Sequence, residues 1–364
     1  MRENKKMQSA KDAKNDEFYT QYSDIQKELN AYLEYDADTF RGKTVLLPCD
    51  DPEWSNFTRF FAQNFETLGL KKLISTSYAA ASKKVQFGQL TLFEEESPQF
   101  DPDKTETHGK IFTLDRDVNG SGKIDIDDLE WEYLDGDGDF RSEEVRKLRN
   151  EADVIITNPP FSLFREFLGW IREAKKKFLV IGNINCITYK EVFPYIKSNE
   201  IWLGNGMGRW ISGFIVPENY PLYGTEARIN EDGQRIVATN NCLWLTNLDH
   251  GRRHRPLELM TMADNIKFSR HKQVRENKYP HYDNYDAIEV PFTDSIPSDY
   301  NGYMGVPITF LDKYNPEQFE IAGATESEGK GFSNGLWNEE SGIAQALINT
   351  EKVYKRIFIR RKTP

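Results

Sequence analysis

The sequence predicts an α/β fold built around a doubly wound sheet, and three observations support this prediction. Short apolar runs typical of buried strands occur at Thr44–Leu47 and Lys72–Thr76. Between them, phenylalanines from Phe57 to Phe65 follow the spacing of one helix face, after Ser55, a residue type that favours a helix N-cap. Strand, helix and strand in this order open a parallel sheet with helices packed on its faces.

The remaining elements follow from the same periodicities. In chain order the sequence predicts a helix at Asp24–Tyr35, strands at Asp153–Thr157 and Phe178–Ile181 around a helix at Ser162–Lys176, and strands near Ile201–Leu203, Phe214–Val216 and Cys242–Leu245, with a hairpin turn at Asn230–Gly233. Residues 1–13 are predicted to be a disordered tail, and about 82–140 an acidic, turn-rich insertion. We expect one domain over residues 14–250 and a second region over 251–364, where the α/β alternation stops.

Composition excludes several classes of protein. The chain has 364 residues, and no apolar run is long enough to cross a bilayer or follows the N-terminus as in a signal peptide. Its three cysteines lie far apart, which argues against a disulfide framework, and its five histidines show no metal-ligand spacing. We therefore expect a cytoplasmic protein with no membrane contact and no metal site.

The charge distribution bears on nucleic-acid binding. A net charge of −11 disfavours such a partner, because phosphate binding requires cationic surface, but an acidic protein can carry a local basic cleft. Basic residues cluster in the last third of the chain, where a solvated charged face explains them equally well. The candidates for nucleic-acid contact are Arg252, Arg253, Arg255, Lys267, Arg270, Lys272, Arg275 and Lys278.

The four residues Asn158, Pro159, Pro160 and Phe161 directly follow a predicted strand and precede a predicted helix. Two consecutive prolines cannot continue a central strand, so the chain leaves the sheet at a strand end, where open α/β sheets bind ligands. A planar aromatic amine is a poor nucleophile because its lone pair is delocalised. The Asn158 side-chain oxygen and the Pro159 carbonyl can accept its N–H hydrogens and free the lone pair, while Phe161 stacks on a flipped base. The tetrapeptide therefore predicts catalysis of methyl transfer to a planar amine.

This chemistry leaves the acceptor open. The same four residues suit adenine N6 or cytosine N4 in DNA, guanine N2 in RNA, and the amide of a protein glutamine. A proline-rich loop that only caps a strand is the structural alternative. Methylation at C5 of cytosine through Cys49, which follows Pro48, is disfavoured because this pair ends the first predicted strand and that reaction has no use for the tetrapeptide.

The loop after the first predicted strand, Pro48–Phe57, stands where a nucleoside cofactor meets a doubly wound sheet. It contains no glycine. Asp50 or Asp51 could bind an α-ammonium group of the cofactor, and the helix start at Ser55 could bind its carboxylate. The second strand lacks the usual acid for the ribose hydroxyls, so that contact stays unassigned.

Several segments carry a family resemblance. Phe18-Tyr19-Thr20 resembles the N-terminal cofactor-contact motif of amino-methyltransferases, and Asp139-Phe140 resembles the pair that binds the cofactor adenine in related enzymes. The chain closely resembles the EcoRI-type adenine-specific DNA methyltransferases in these two segments, in Pro48–Phe57 and Thr157–Glu166, and in Gly305–Leu311 near the C-terminus.

That resemblance implies a Rossmann-like sheet, S-adenosylmethionine as cofactor, N6 of a flipped adenine in double-stranded DNA as acceptor, and a C-terminal target-recognition region. On it we expect a monomer that serves restriction–modification or DNA protection, with any cognate endonuclease acting separately. The cofactor contacts it implies are Phe18, Tyr19, Thr20, Pro48, Asp50, Asp51, Ser55, Asp139 and Phe140.

The segment Asp117–Leu129 supports a rival interpretation as a calcium-binding module. Its spacing fits an EF-hand-like loop with Gly122 at the sharp turn and ligands at Asp117, Asn119, Ser121, Asp125 and Asp128. The alternative is an insertion whose acidic residues form Asx turns. Calcium binding alone would leave 158–161 unexplained, so we expect any calcium to be an accessory.

Overall fold

The computed structural model describes residues 19–49, 55–79, 98–207, 211–216, 227–237, 241–325, 336 and 345–362. The chain forms two compact units, residues 1–184 with 206–248 and residues 185–205 with 249–364. The predicted tail 1–13, Phe18, Asp50 and Asp51 lie outside the described residues. The division into a catalytic domain over 14–250 and a recognition region over 251–364 stays a prediction, and 185–205 belong to the second unit.

The described residues contain short strands, numbered here in chain order. They are β1 (Tyr19–Thr20), β2 (Thr44–Leu47), β3 (Lys72–Thr76), β4 (Lys110–Leu114), β5 (Glu130–Tyr133), β6 (Val154–Thr157), β7 (Lys177–Asn183), β8 (Trp202–Met207), β9 (Phe214–Val216), β10 (Arg228–Ile229), β11 (Arg235–Val237), β12 (Cys242–Thr246), β13 (Ile288–Glu289), β14 (Met304–Pro307), β15 (Phe319–Ala324), β16 (Leu347–Ile348), β17 (Glu351–Lys352) and β18 (Arg356–Arg361).

The α-helices of the described residues are α1 (Tyr22–Tyr35), α2 (Asn56–Gln63), α3 (Phe65–Leu68), α4 (Glu143–Glu151), α5 (Phe164–Glu173), α6 (Phe193–Lys197), α7 (Met262–Phe268) and α8 (Lys272–Asn277). None of these helices is long and apolar enough to span a membrane.

The largest sheet has the strand order β5-β4-β3-β2-β6-β7-β12-β8. β2 pairs in parallel with β3 on one side and with β6 on the other, and β6 pairs in parallel with β7. The chain therefore winds from β2 to β3 and returns on the opposite side of β2. This reversal confirms the doubly wound fold and makes the carboxyl ends of β2 and β6 the switch point where such sheets bind ligands.

The central strands match their predicted bounds closely. β2, β3 and β9 begin and end at the predicted residues, and β6 starts one residue later than predicted. All four residues of β2 and of β6 are buried. Strands covered on both faces are apolar at every position, which is why a continuous apolar run predicted them.

The acidic insertion contributes two strands that the sequence interpretation missed. β4 pairs antiparallel with β3, and β5 pairs antiparallel with β4, so both extend the main sheet. Buried and half-buried residues alternate along β4, and its Phe112 stacks on Trp131 of β5 at 6.1 Å between ring centroids. The description of this segment as only turn-rich was incomplete, because acidic and turn residues hid a period of two.

Helix α2 starts at the predicted N-cap. The Ser55 hydroxyl oxygen accepts the backbone N–H groups of Phe57 and Thr58 at 3.1 and 3.4 Å, a cap that stabilises a helix by ~1 kcal/mol. The Thr58 and Ser75 hydroxyls lie 2.9 Å apart, which ties α2 to β3. Phe57 packs edge-on against Trp244 of β12, at 6.0 Å between centroids. These contacts fix the start of α2 relative to the sheet.

A smaller antiparallel sheet of the first unit has the order β1-β9-β11-β10. The predicted hairpin turn at Asn230–Gly233 is confirmed. The Asn230 side chain accepts the Gln234 N–H at 2.7 Å, and Gly233 has φ 79°, a left-handed conformation that favours glycine. Tyr19 pairs with Ile215 and Thr20 with Phe214, so this sheet brings β1 against β9.

The second unit has its own sheet, with the order β13-β14-β18-β15. Phe310 packs edge-on against Phe319 of β15 at 5.4 Å between centroids, and both rings are fully buried. A separate hairpin, β16 with β17, precedes β18. The second unit therefore contains a sheet of its own and buried aromatic contacts.

Candidate active site

The ends of β2 and β6 are joined by a buried hydrogen bond. The Thr157 hydroxyl donates to the Pro48 carbonyl at 2.6 Å. Cys49 follows with φ 65°, a conformation that costs a non-glycine residue free energy and turns the chain away from the strand. The loop after β2 and the tetrapeptide after β6 therefore leave the sheet side by side.

The tetrapeptide occupies the predicted context. Asn158 is half-buried with its side-chain oxygen Oδ1 buried, and Pro159 and Pro160 are buried. The Pro160 carbonyl accepts the Leu163 N–H at 3.0 Å and begins a single 3₁₀ turn, which leads into α5. Strand, turn and helix follow one another without a gap. The backbone of Asn158 and Pro159 is therefore anchored from both sides.

Phe161 connects the tetrapeptide to the small sheet. Its half-buried ring lies 6.3 Å from the Phe214 ring at an interplanar angle of 74°. Phe214 is the strand partner of Thr20, and the Thr20 carbonyl accepts a hydrogen bond from the Asn56 side chain at 2.9 Å. Tyr19, Thr20 and the start of α2 are thus brought to the same region as 158–161.

The segment after β3 lies against Asp139 and Phe140. The Ala79 N–H donates to the Asp137 carbonyl at 2.8 Å. Gly138 has φ 82°, and a Cβ on it would lie 2.1 Å from the Ser77 carbonyl oxygen, so only glycine allows this approach. Tyr78 lies between these contacts, and its hydroxyl accepts a hydrogen bond from the Cys49 thiol at 3.9 Å.

Sequence reasoning missed Tyr78. Burial, followed by the negative charges of Cys49 and Asp139, raises its pKa well above the ordinary value, while a backbone hydrogen bond with Phe140 opposes the shift. The phenol therefore stays protonated and able to donate. Tyr78 joins the loop after β2 to the Asp139-Phe140 pair. It follows β3, the strand in which the sequence showed no acid for the ribose hydroxyls. Gly138 between two acidic residues is the sequence signal that could have indicated a close backbone approach there.

Asp139 and Phe140 have different surroundings. The Asp139 carboxylate binds the Arg141 guanidinium at 2.6 Å, and Arg141 also contacts Glu166 at 3.2 Å. Burial raises the pKa of Asp139, but hydrogen bonds from Arg141 outweigh it and leave the pKa below its ordinary value. The Phe140 ring is only 1% exposed and packs edge-on against Phe167 at 5.1 Å. The structure thus assigns that ring to the interior of the first unit, and its stacking on a cofactor stays a prediction.

Two buried hydroxyls indicate that this region suits a polar ligand. The Oγ1 atoms of Thr20 and Thr76 are inaccessible to solvent and have no hydrogen-bond partner among the described residues. Buried polar atoms are almost always paired, so such exceptions call for an explanation. Both lie on strand ends next to the contacts described above. A cofactor with ribose hydroxyls and a charged amino-acid end fits this set of donors and acceptors.

The calcium-like loop uses its acidic side chains for turns. The Asp117 carboxylate accepts the N–H groups of Gly120, Ser121 and Gly122. Asp128 accepts from Val118, Asn119 and Asp125, and the Asn119 bond is the largest of the causes that lower its pKa. The described residues contain no group of three or more His, Cys, Asp or Glu side chains that could hold a metal ion. This arrangement is the one that Asx turns produce.

The predicted nucleic-acid contacts fall into two groups within the second unit. The Arg252 side chain binds the Asp312 carboxylate. Arg253 is only 7% exposed, and its guanidinium lies 3.5 Å from the Trp202 ring centroid. These two arginines stabilise the unit itself. The other six side chains are exposed: Arg255, Lys267, Arg270, Lys272, Arg275 and Lys278.

A doubly wound sheet with Asn-Pro-Pro-Phe at its switch point defines the class of enzymes that methylate planar amines. The sequence profile of the family described as "Adenine-specific methyltransferase EcoRI" matches residues 6–362, and the chain belongs to this family. It is an adenine-specific DNA methyltransferase, which decides among the acceptors that the tetrapeptide left open. Methyltransferases of this kind use S-adenosylmethionine.

Curated relatives agree with this assignment. The chain is 50% identical to the type II methyltransferase M.EcoRI of Escherichia coli over 359 residues, which cover 99% of this chain and 97% of that protein. It is 35% identical to the type II methyltransferase M.MpnI of Mycoplasma pneumoniae over 314 residues, covering 86% and 83%. A type II methyltransferase of Mycoplasma genitalium is also 35% identical, over 86% of this chain and 84% of its own length. No solved structure matches the chain.

Proposed function

We propose that this enzyme methylates N6 of an adenine flipped out of a specific duplex sequence and that residues 158–161 hold the base. The hydrogen bond from Thr157 to Pro48 carries this proposal. It couples the loop after β2, where the cofactor is expected, to the tetrapeptide that would hold the acceptor amine.

The roles of the four residues follow from their chemistry. The Asn158 side-chain oxygen and the Pro159 carbonyl would accept the two N–H hydrogens of the adenine amine. Accepting both draws the nitrogen toward tetrahedral geometry and makes its lone pair available for bonding. Phe161 would stack on the base, and Pro160 would keep the turn rigid through its fixed backbone angle.

Cofactor binding is assigned to the residues around the switch point. S-adenosylmethionine, when bound, supplies an electrophilic methyl group. Tyr19, Thr20, Pro48 and Ser55 would form one side of its site, together with Phe18, Asp50 and Asp51, which lie outside the described residues. Asp139, with Tyr78 beside it, would form the other side. The two buried threonine hydroxyls and the ionised Asp139 carboxylate support this assignment.

The biological setting is proposed on the same basis. The enzyme would act as a monomer on double-stranded DNA, in the cytoplasm, and would protect sites that a separate endonuclease cleaves. The exposed basic residues of the second unit, from Arg255 to Lys278, are proposed as contacts to the DNA backbone. The family and the type II relatives support this setting.

One experiment tests the proposal directly. The enzyme is incubated with labelled S-adenosylmethionine and mixed-sequence DNA, and N6-methyladenine is mapped at base resolution. We expect methylation at one short sequence, and Asn158→Ala should lose two to three orders of magnitude in transfer rate while still binding cofactor, as when a preorganised hydrogen-bond group is removed from a catalytic site. Asn30→Ala, on the exposed face of α1, is the control. Full activity of Asn158→Ala would refute the assigned mechanism.

A further inference from the structure

The second unit contains a concave groove that the proposed catalytic function does not use. It lies between helix α8, the chain that follows α8, and the end of the β16–β17 hairpin, and its volume is about 370 Å³. Pro280, Pro291 and Phe292 contribute apolar surface to its wall. A groove of this size with an apolar wall can accommodate a planar ring.

The charged floor of the groove is internally neutral. The Arg356 guanidinium binds both oxygens of Glu289, at 2.6 and 3.0 Å, and the Tyr282 hydroxyl also donates to Glu289. Because this ion pair is buried and fully matched, it adds no net charge to the groove. The sign of the local charge is therefore set by the rim.

The rim carries two lysines. Lys278 and Lys352 are exposed, and among the described residues neither ammonium contacts a carboxylate. This distinguishes them from Lys272, which pairs with Glu276 at 3.5 Å. Glu351 precedes Lys352 on the same strand but does not line the groove. Two unpaired cations beside a neutral floor favour an anionic partner.

Two amides face the same groove. Gln273 and Asn277 are four residues apart on α8 and therefore lie on one face of the helix. Both are exposed, and among the described residues neither side chain makes a hydrogen bond. An amide offers one acceptor and two donors, the combination that pairs with the edge of a nucleobase.

An exposed aromatic residue completes the rim. Tyr354 is 87% exposed. It follows a hairpin that is held firmly: the Asp283 carboxylate accepts the Thr350 N–H at 2.7 Å, and the Asn284 side chain accepts the Leu347 N–H at 2.9 Å. A ring presented from a fixed hairpin beside unpaired lysines is typical of a platform on which a nucleobase stacks.

We propose that this groove binds a stretch of the DNA substrate, with Lys278 and Lys352 on phosphates, Tyr354 against a base, and Gln273 and Asn277 at base edges. The inference rests on the proposed action on duplex DNA. It adds Lys352, Tyr354, Gln273 and Asn277 to the recognition surface and makes the last two determinants of the target sequence.

The test measures DNA binding separately from catalysis. Fluorescence anisotropy follows binding of a labelled duplex that contains the methylated site of the wild-type enzyme, in the presence of S-adenosylhomocysteine, across a range of salt. The double variant Lys278→Gln/Lys352→Gln should bind more weakly, and its plot of log K against log salt should be shallower by about 2, since each phosphate contact contributes about 1 to that slope. Tyr354→Ala should weaken binding roughly tenfold, whereas Tyr354→Phe, which keeps the ring, should not.

Specificity gives a second readout. The double variant Gln273→Ala/Asn277→Ala should discriminate less against duplexes with one altered base pair in the site, by a factor of about 5 to 150. Lys104→Gln, at an exposed lysine of the first unit, is the charge-matched control and should change neither affinity nor slope. Calorimetric binding of S-adenosylhomocysteine and the thermal midpoint should stay at wild-type values in every variant.

The outcomes separate the two claims. If the wild-type enzyme neither binds nor methylates DNA, the proposed function fails and the groove assignment fails with it. If the wild-type enzyme methylates DNA and the groove variants match it in affinity, salt slope and specificity, only the groove assignment is overturned. Because the lysine and tyrosine variants are independent, misfolding of one still leaves the other as a decisive test.

Discussion

Replacing Thr157 with valine tests whether the site depends on the coupling of β2 and β6. The substitution removes the hydroxyl that donates to the Pro48 carbonyl at 2.6 Å and leaves that carbonyl buried without its donor. Leaving a buried acceptor unpaired costs about 1–3 kcal/mol, and the added apolar methyl of valine recovers up to about 0.8 kcal/mol. We therefore expect a net loss of about 0.2–2 kcal/mol, which lowers the unfolding midpoint of a domain of this size class by up to ~8 °C.

The same change should slow methyl transfer beyond its effect on stability. Asn158 directly follows Thr157, so loss of the anchor shifts the group that accepts the amine hydrogens relative to the loop after β2. A misplacement of about 1 Å costs roughly a hundredfold in rate. Single-turnover kinetics with saturating cofactor measure this step directly, and calorimetry with S-adenosylhomocysteine separates it from a loss of cofactor affinity.

Thr246→Val is a matched control. Thr246 is also fully buried, and its hydroxyl also donates to a backbone carbonyl, that of Phe178, at 2.6 Å. It lies at the end of β12, so its loss should lower the midpoint without changing the transfer step. If Thr157→Val transfers methyl at the rate of Thr246→Val, the coupling of the two strand ends has no catalytic role and the reasoning fails.

Three further predictions follow from particular contacts. Tyr78→Phe should weaken S-adenosylhomocysteine binding about 3–10-fold by calorimetry, as expected for one lost hydrogen bond. Tyr133→Phe, which removes a hydroxyl that bonds to Asp101, should not; if Tyr78→Phe binds as tightly as Tyr133→Phe, Tyr78 does not belong to the site. Asp117→Ala should lower the thermal midpoint, because it removes the carboxylate that holds the turn. Calcium should not change the midpoint of the wild type or of the variant. If calorimetry shows saturable calcium binding that the substitution abolishes, the calcium-site interpretation is restored. Burial lowers the pKa of His250 from 6.5 to about 4. Between these pH values the unfolded chain binds a proton at His250 that the folded unit does not. The second unit should therefore lose about 3 kcal/mol of stability as the pH falls from 6.5 to 4. Urea unfolding at several pH values checks this, and an unchanged pH dependence in His250→Gln would contradict it.

The central sheet and the tetrapeptide were predictable because their determinants are local. Thr44–Leu47 and Val154–Thr157 are apolar throughout and end at prolines or turn residues, so their bounds could be read directly from the sequence. The context of 158–161 followed from the same information. No contact elsewhere in the chain was needed to predict that these residues lie at a strand end.

Tyr78 and the strands of the insertion were not predictable in this way. Tyr78 belongs to no motif, and its position depends on the contact of Ser77–Ala79 with Asp137–Gly138, about sixty positions away in the chain. Pairing between distant segments sets the register of a strand and is not encoded in composition. The acidic residues around Asp117 and Asp128 dominated the interpretation of the insertion, although its aromatic residues alternate.

Arg253 illustrates a second limit of sequence reasoning. A run of three arginines and a histidine predicted an exposed cationic surface, but the structure buries Arg253 against Trp202 and pairs it with Asp249 at 3.1 Å. Burying a guanidinium is tolerated only where its donors are satisfied, and here Asn199 accepts another of them. Two of its partners, Trp202 and Asn199, lie about fifty positions upstream, so the basic run alone could not reveal that Arg253 is buried.

The same distinction between paired and unpaired cations explains how a chain of net charge −11 can act on DNA. Arg252, Arg253 and Arg356 add to the formal charge, but carboxylates within the second unit neutralise them. Lys278 and Lys352 remain available for phosphates. With the other exposed basic side chains from Arg255 to Arg275, they would displace counterions from the DNA backbone, so binding should weaken as the salt concentration rises despite the negative net charge. An enzyme that must choose one short sequence among many also needs base contacts, since phosphate contacts strengthen binding to every sequence equally.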